Sequence, residues 1–277
     1  MSFMTFGDKS LDLSRPHVMG ILNVTPDSFS DGGSYSSLDD ALKKTENMIL
    51  DGASFIDVGG ESTRPGAQPV TVEEEMNRVL PVVEAIKARF DTVVSVDTST
   101  PIVMTQSAGL GAGLINDVRA LEREGALQAA AETSLPVCLM HMRGSPSTMQ
   151  DDVSYDSVVE EVSAYLLARV AACESVGIDR NRLILDPGIG FGKSLPHNLT
   201  LLNHTAELKR RGFPLLIGLS RKTMIGDVLG VPVDERLYGT MGANAATYSQ
   251  GARLFRVHDV KPHVDMLELM YRIEREV

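Results

Sequence analysis

The sequence predicts an α/β fold, a single (β/α)8 barrel (TIM barrel), on three observations. Eight short apolar runs recur along the chain, and each ends in a polar or charged cluster followed by a stretch with helical periodicity. Nearly continuous apolar runs are typical of parallel strands that are covered on both faces. The 277 residues are also close to the roughly 250 of one such barrel. Because no linker or low-complexity tract divides the chain, we predict one domain over residues 1–277.

The strand predictions follow the apolar runs in chain order. They are Val18–Asn23, Phe55–Val58, Val93–Asp97, Leu114–Val118, Val137–His141, Leu183–Asp186, Leu215–Leu219 and Leu254–Val257. In a barrel of this kind the carboxyl ends of all eight strands open onto one face, where active sites of the fold are built. The polar clusters at the ends of the runs therefore predict one shared site.

Helices are predicted where apolar residues recur at helical spacing opposite long charged side chains. The clearest are Leu38–Leu50, Val72–Arg89, Ala126–Thr133, Val158–Val176 and Leu199–Arg211. Glycine stands just before several strands, for example Gly52, Gly177 and Gly212, where helices commonly end. The longest connections follow the first, second and fifth strands, and we expect those after the first and second to be mobile lids.

Composition excludes several classes of function. Hydrophobic residues make up 43% of the chain, yet no apolar run approaches the roughly 18 residues of a membrane span. The first 13 residues lack the basic-then-apolar pattern of a signal peptide. The two cysteines have no CxxC spacing, which fits a reducing cytoplasm, and the net charge of -11 argues against a nucleic-acid partner. We predict a cytoplasmic protein without membrane or nucleic-acid partners.

Three polar side chains at strand ends predict recognition of a flat heterocycle. Asp97, Asn116 and Asp186 each close an apolar run, and a carboxylate there is costly to bury without a partner that donates hydrogen bonds. An aminopyrimidinone edge, with adjacent N–H donors, is such a partner. Two alternatives remain open: Asp97 could cap the following helix, and the glycines of residues 188–192 could serve only a sharp turn.

Four potential cations lie at the ends of the second, seventh and eighth strands: Arg64, Lys222, Arg256 and His258. Their convergence predicts an oxygen-rich anion, although each alone could form an ordinary surface ion pair. Asn23, at the end of the first strand, offers a neutral oxygen of the kind that Mg²⁺ accepts beside water and phosphate. His141 is predicted to be a packed, hydrogen-bonded residue, because no zinc-like spacing accompanies it.

Seven segments together resemble the dihydropteroate synthase family of folate biosynthesis. They are GILNVTPDSFSDGG at 20–33, DVGGESTRPGA at 57–67, SVDTS at 95–99, LINDV at 114–118, LDPGIGFGK at 185–193, GLSRK at 218–222 and RVHDV at 256–260. The resemblance implies a pterin-binding barrel that joins 4-aminobenzoate to 6-hydroxymethyl-7,8-dihydropterin pyrophosphate. It also implies an SN1-like path through a pterin cation, a Mg²⁺ cofactor, inhibition by sulfonamides and a homodimer packed through its last helices.

The same resemblance assigns residues to three subsites. The pterin site would contain Asp97, Asn116, Met140, Asp186, Gly218, Lys222 and Arg256. The pyrophosphate site would contain Asn23, Arg64, Arg256 and His258, with Asn23 also on the metal. The aminobenzoate site would contain Phe29, Thr63, Pro65, Phe191, Ser220, Arg221 and Lys222. Asp97, Lys222 and Arg64 would be the catalytic residues.

Two places depart from the family pattern. Thr223 stands where many relatives carry serine after Ser-Arg-Lys. The segment 239–251 departs from an alanine-rich pattern through Asn244, Tyr248 and Ser249, which bears on the dimer interface and not on the chemistry. Two other functions remain as alternatives. One is a different pterin-binding barrel, a methyltransferase that passes a methyl group from methyltetrahydrofolate to a corrinoid. The other is a pterin-binding paralogue without catalysis.

Overall fold

The computed structural model describes residues 3–25, 34–62, 70–144, 149 and 153–276, with residues 34–37 described by backbone alone. A two-stranded hairpin comes first, with β1 at Phe3–Phe6 and β2 at Lys9–Asp12. The strands of the main sheet are β3 His17–Asn23, β4 Phe55–Gly59, β5 Val93–Asp97, β6 Leu114–Asp117, β7 Val137–Met140, β8 Leu183–Asp186, β9 Leu216–Ile217 and β10 Leu254–Val257.

The main sheet is an eight-stranded parallel sheet that curls round to meet itself. Its strand order is β8-β7-β6-β5-β4-β3-β10-β9. A bridge between Leu185 and Leu215 joins β8 to the chain entering β9, so the two ends of that order touch. This confirms the predicted barrel. The eight predicted strands also match β3 to β10 in chain order, with small differences at their ends.

Ten helices lie in the described part of the chain. They are α1 Ser34–Leu50, α2 Val72–Arg89, α3 Pro101–Gly109, α4 Ala126–Thr133, α5 Val158–Ser175, α6 Leu195–Asn203, α7 Thr205–Lys209, α8 Thr223–Leu229, α9 Leu237–Ser249 and α10 Val260–Arg275. The larger hydrophobic cluster joins strand residues such as Ile56 to helix residues such as Val83 and Leu166. None of the helices among the described residues is long and apolar enough to cross a membrane.

The helix predicted at Leu199–Arg211 is wrong in its start and its continuity. It begins earlier, because Ser194 forms a capping box with His197, and it divides at His204 into α6 and α7. The Gln250 side chain donates to the Leu202 carbonyl at 2.9 Å and accepts from the Ala206 N–H at 3.2 Å. These two groups would pair with each other in a continuous helix, so the inserted amide accounts for the break.

The hairpin of β1 and β2 is an element that the sequence pattern did not predict. Its buried residues Met4 and Phe6 join Met19 and Phe55 in a second, smaller hydrophobic cluster. The ring centroids of Phe6 and Phe55 lie 4.9 Å apart, edge to face. Since β4 begins at Phe55, the hairpin covers the amino-terminal end of the barrel and leaves the carboxyl ends of the strands to the site.

Candidate active site

The strand register aligns four residues across the carboxyl ends of β3 to β6. Asn23 pairs with Gly59, Gly59 with Asp97, and Asp97 with Asn116. A Cβ atom on Gly59 would lie 3.6 Å from Asp97 Oδ2 and 3.8 Å from Asn23 Oδ1. The lack of a side chain at Gly59 thus leaves both oxygens on one shared concavity.

Arg256, on β10 beside β3, reaches across to two carboxylates of β4 and β5. Its Nε donates to Asp57 Oδ2 at 2.5 Å, and its Nη2 donates to Asp97 Oδ2 at 2.9 Å. Burial alone would lower the pKa of Arg256, but the facing carboxylates Asp57 and Asp97 raise it. The guanidinium therefore stays charged at the centre of the site.

Asp57 belongs to this site, although the sequence pattern predicted no specific role for it. It is fully buried in β4 and also accepts from Ser95 Oγ at 2.5 Å and from Asn116 Nδ2 at 3.3 Å. Its contacts tie Asn116 and Arg256 to one carboxylate. A signal was present, because a carboxylate inside the apolar run of β4 requires a charged or donating partner.

Opposing electrostatic effects act on the pKa of the Asp97 carboxyl group. Burial raises its pKa to about 7, Arg256 opposes that rise, and Asp57 adds to it. The alternative in which Asp97 caps the next helix is not observed, since Thr100 is the residue at the cap position of α3. Asp97 instead pairs with Arg256 and faces the concavity beside Gly59.

Asp186 and Lys222 form the opposite side of the site. Asp186 Oδ1 accepts from the Gly188 N–H at 2.7 Å, burial raises the pKa of its carboxyl, and Lys222 lowers it. Lys222 Nζ donates to the Ile189 carbonyl and lies 4.3 Å from the centre of the Phe191 ring. Burial lowers the pKa of Lys222 to about 8, against the attraction of Asp186.

The remaining pterin residues complete this side of the site. A Cβ on Gly218 would lie 3.7 Å from Asp186 Oδ2 and 4.0 Å from Arg256 Cβ, so this glycine keeps the space between them open. Met140 is buried at the end of β7 and stands beside Asp186 in the strand register. The structure thus brings the seven residues of the predicted pterin site to the same end of the barrel.

Ser220, Arg221 and His258 lie at the rim. Ser220 Oγ accepts from the His258 backbone N–H at 3.1 Å and lies 3.0 Å from His258 Nδ1. Arg221 is directed to Asp259, to which its Nε donates at 2.9 Å. The predicted residues Phe29, Thr63, Arg64 and Pro65 lie outside the described residues.

His141 is packed and hydrogen-bonded, as predicted. Its ring stands edge to face against Tyr165, with 4.9 Å between centroids, and its Nδ1 lies 2.8 Å from Lys193 Nζ. Burial, followed by the charge of Lys193, lowers the pKa of His141 to about 3, so the ring is neutral. Lys193 is a second buried group for which the sequence pattern predicted no role.

Comparison with known proteins places this geometry in one family. The family model described as pterin binding enzyme matches residues 19–258. Dihydropteroate synthase of Escherichia coli (strain K12) is 57% identical over 94% of this chain and 93% of that protein. The enzyme of the same name from Haemophilus influenzae is 51% identical over 95% of each chain.

Solved structures agree with these relatives. The Yersinia pestis dihydropteroate synthase in complex with a sulfonamide drug superposes with a TM-score of 0.94 at 50% identity, covering 99% of this chain and 100% of that one. The Xanthomonas albilineans dihydropteroate synthase with 4-aminobenzoic acid superposes with a TM-score of 0.92 at 46% identity, covering 98% of each chain.

Proposed function

The chain belongs to the dihydropteroate synthase family of pterin-binding enzymes, and we propose that its strand-end residues divide between binding the pterin and stabilising charge as pyrophosphate leaves. As a transferase of this family it joins 4-aminobenzoate to the methylene carbon of 6-hydroxymethyl-7,8-dihydropterin pyrophosphate. The products are 7,8-dihydropteroate and pyrophosphate. The observation that carries the residue assignment is the convergence of Asp97, Asn116, Asp186 and Lys222 around Arg256.

The pterin edge would occupy the concavity between Asp97, Asn116 and Asp186. Carboxylate oxygens accept hydrogen bonds and the Asn116 amide both donates and accepts, which matches a ring that carries adjacent N–H and carbonyl groups. Arg256 Nη2 donates a hydrogen bond to one carboxylate oxygen of Asp97. Pterin binding must therefore share or replace this contact, which would place the planar guanidinium against the ring.

Charge separation follows from the same arrangement. Departure of pyrophosphate leaves positive charge on the methylene carbon, and an ionised Asp97 can stabilise it. Arg256 and His258, with Arg64 from outside the described residues, would stabilise the departing anion. The arylamine then attacks the carbon and loses a proton, so the path is SN1-like and needs no protein nucleophile.

Aminobenzoate would bind between Phe191 and the Ser220–Lys222 segment, with Phe29, Thr63 and Pro65 contributed by the two loops after β3 and β4. Phe191 offers an apolar face and Lys222 a cation close to it. Sulfonamides, which mimic aminobenzoate, would occupy the same space. The Yersinia pestis relative was solved in complex with a sulfonamide drug, which supports sulfonamide binding by this chain.

We propose Mg²⁺ as the cofactor, held by Asn23. Mg²⁺ commonly keeps several waters and takes one or two protein oxygens beside substrate phosphates. The residues fit this demand, since Asn23 Oδ1 and Asp97 Oδ2 both border the concavity at Gly59. The described residues contain no group of three or more His, Cys, Asp or Glu side chains that could hold a metal by themselves. When bound, the cation supplies charge neutralisation of the pyrophosphate.

We also propose a homodimer and a cytoplasmic location. Tyr238 on α9 and Leu269 and Ile273 on α10 are 82%, 61% and 68% exposed, so the last two helices present apolar side chains on which a second copy would pack. Cys138 and Cys173 are free and buried, as suits a reducing compartment. Light scattering of the purified protein tests the dimer.

Growth complementation and product assays distinguish the synthase from two rival functions. Introduced into a bacterium that lacks its own synthase, this chain should restore growth without added folate products. A corrinoid methyltransferase would instead transfer methyl groups from methyltetrahydrofolate to cobalamin, and a non-catalytic paralogue would bind pterin without restoring growth. Either result would refute the proposed function.

A further inference from the structure

Lys193 is a buried lysine at the end of the loop that follows β8. Its side chain is only slightly exposed, yet within the described residues no carboxylate accepts a hydrogen bond from its Nζ. Nζ lies 2.8 Å from His141 Nδ1, 2.9 Å from the Gly188 carbonyl, 2.9 Å from the Phe191 carbonyl and 3.3 Å from the His141 carbonyl. Burial lowers the pKa of Lys193, and the amino group is surrounded by partners from the turn and from His141.

These contacts fix both ends of a turn and attach it to the neighbouring strand. The Gly188 and Phe191 carbonyls bracket the turn, and His141 follows β7. The turn is tightly seated, because a Cβ on Gly188 would lie 1.8 Å from the His141 carbonyl oxygen. Burying an amino group is costly unless it forms hydrogen bonds, so the contacts of Lys193 with the turn and with His141 account for its buried position.

This turn also positions Lys222. The Ile189 carbonyl accepts from Lys222 Nζ, the Phe191 ring lies beneath that Nζ, and a Cβ on Gly190 would approach Lys222 Cδ to 3.1 Å. Three consecutive residues of the turn therefore define the place of the Lys222 side chain. Lys222 faces Asp186 and Arg256 on its remaining sides.

We propose that Lys193 is a positioning residue of the reaction, which fixes the turn 188–191 so that Phe191 and Lys222 are set for aminobenzoate. This inference rests on the proposed function. It assigns Lys193 no contact with substrate. Since small misplacements of reacting groups are costly to rate, loss of the Lys193 contacts should reduce turnover although every group that touches substrate is still present.

The test compares Lys193→Met with Lys209→Met. Lys209 is a matched control, because it is partly buried and its Nζ donates to a backbone carbonyl, that of Phe213 at 3.1 Å. Phe213 precedes β9, whereas the turn that Lys193 contacts follows β8. Both variants should lower the melting temperature. Only Lys193→Met should lower kcat/KM for aminobenzoate, by about tenfold or more, while the Kd for dihydropterin pyrophosphate changes by less than about threefold.

The outcomes separate the possible roles. If both variants lose stability and both keep kcat and KM within about twofold of the unmodified protein, Lys193 is a structural residue only and the inference is wrong. Should Lys193→Met fail to fold, Lys193→Gln is measured instead. This variant keeps an N–H donor, so we expect a smaller decrease in kcat/KM for aminobenzoate. If the unmodified protein itself produces no dihydropteroate, the proposed function fails instead.

Discussion

Asp97 is the residue on which binding and catalysis are most clearly separable. Its carboxyl borders the concavity and pairs with Arg256, whereas the pterin contacts that we propose for Asn116 and Asp186 do not depend on it. Only an ionised carboxylate stabilises a developing cation, but a neutral amide can still accept a hydrogen bond.

We therefore expect Asp97→Asn to lower kcat by about 100-fold and to change the Kd for dihydropterin pyrophosphate by less than about tenfold. Single-turnover kinetics and calorimetry measure the two quantities separately. Equal losses in both would make Asp97 an ordinary binding residue.

The pH dependence follows from the two perturbed groups. Burial raises the pKa of Asp97 to about 7, and burial lowers the pKa of Lys222 to about 8. The proposed mechanism requires Asp97 ionised and Lys222 protonated, so we expect kcat/KM to fall below about pH 7 and above about pH 8. The control is Asp97→Asn, whose residual activity should lack the acid limb. An acid limb that persists in that variant would assign it to another group or to the substrate.

Thr223 opens α8 and is exposed, and no side-chain hydrogen bond caps that helix. Since threonine differs from serine by one methyl group and keeps the hydroxyl, Thr223→Ser should leave turnover within tenfold, and sulfonamide affinity should change modestly. Steady-state assays with a sulfonamide series measure both. A change in turnover of about an order of magnitude or more would show that the methyl group acts on the reaction.

At the level of elements, the sequence predicted the strands better than the connections between them. Strands such as β6 and β8 are short apolar runs with a polar end, a pattern that depends on local residues alone. The break between α6 and α7 was not predictable locally, because it depends on Gln250, which is distant in sequence. The role of Asp57 was missed for the same reason, since its partners Ser95, Asn116 and Arg256 come from other strands. Lys193 contacts its own loop, but its contact with His141 is likewise distant in sequence.

The turn after β8 gives a prediction with a matched control. Gly188 and Gly177 both have positive φ, 65° and 87°, but a Cβ on Gly188 would meet the His141 carbonyl at 1.8 Å, whereas nothing lies within 4 Å of one on Gly177. Gly177→Ala should cost about 1–2 kcal/mol of unfolding free energy and leave kinetics unchanged. Gly188→Ala should cost more and also lower kcat, as measured by denaturant unfolding and steady-state assays. Equal effects of both would mean that only backbone strain matters at Gly188.

At the level of the whole molecule, the barrel gathers residues that are far apart in sequence onto one end, as in the Arg256–Asp57 pair, whose members are separated by 199 positions. The opposite end is covered by the β1–β2 hairpin and its apolar residues. This division explains why the fold and the pterin side of the site could be predicted once the strands were recognised. The roles of Phe29, Thr63, Arg64 and Pro65, and the single domain over residues 1–277, stay predictions.

The most direct measurement is product stoichiometry with the purified protein, dihydropterin pyrophosphate and Mg²⁺, with and without 4-aminobenzoate. We expect pyrophosphate and 7,8-dihydropteroate to form in equal amounts when aminobenzoate is present. Tight pterin binding without turnover would contradict the catalytic role of the strand-end site. The absence of both pterin binding and turnover would contradict the site itself.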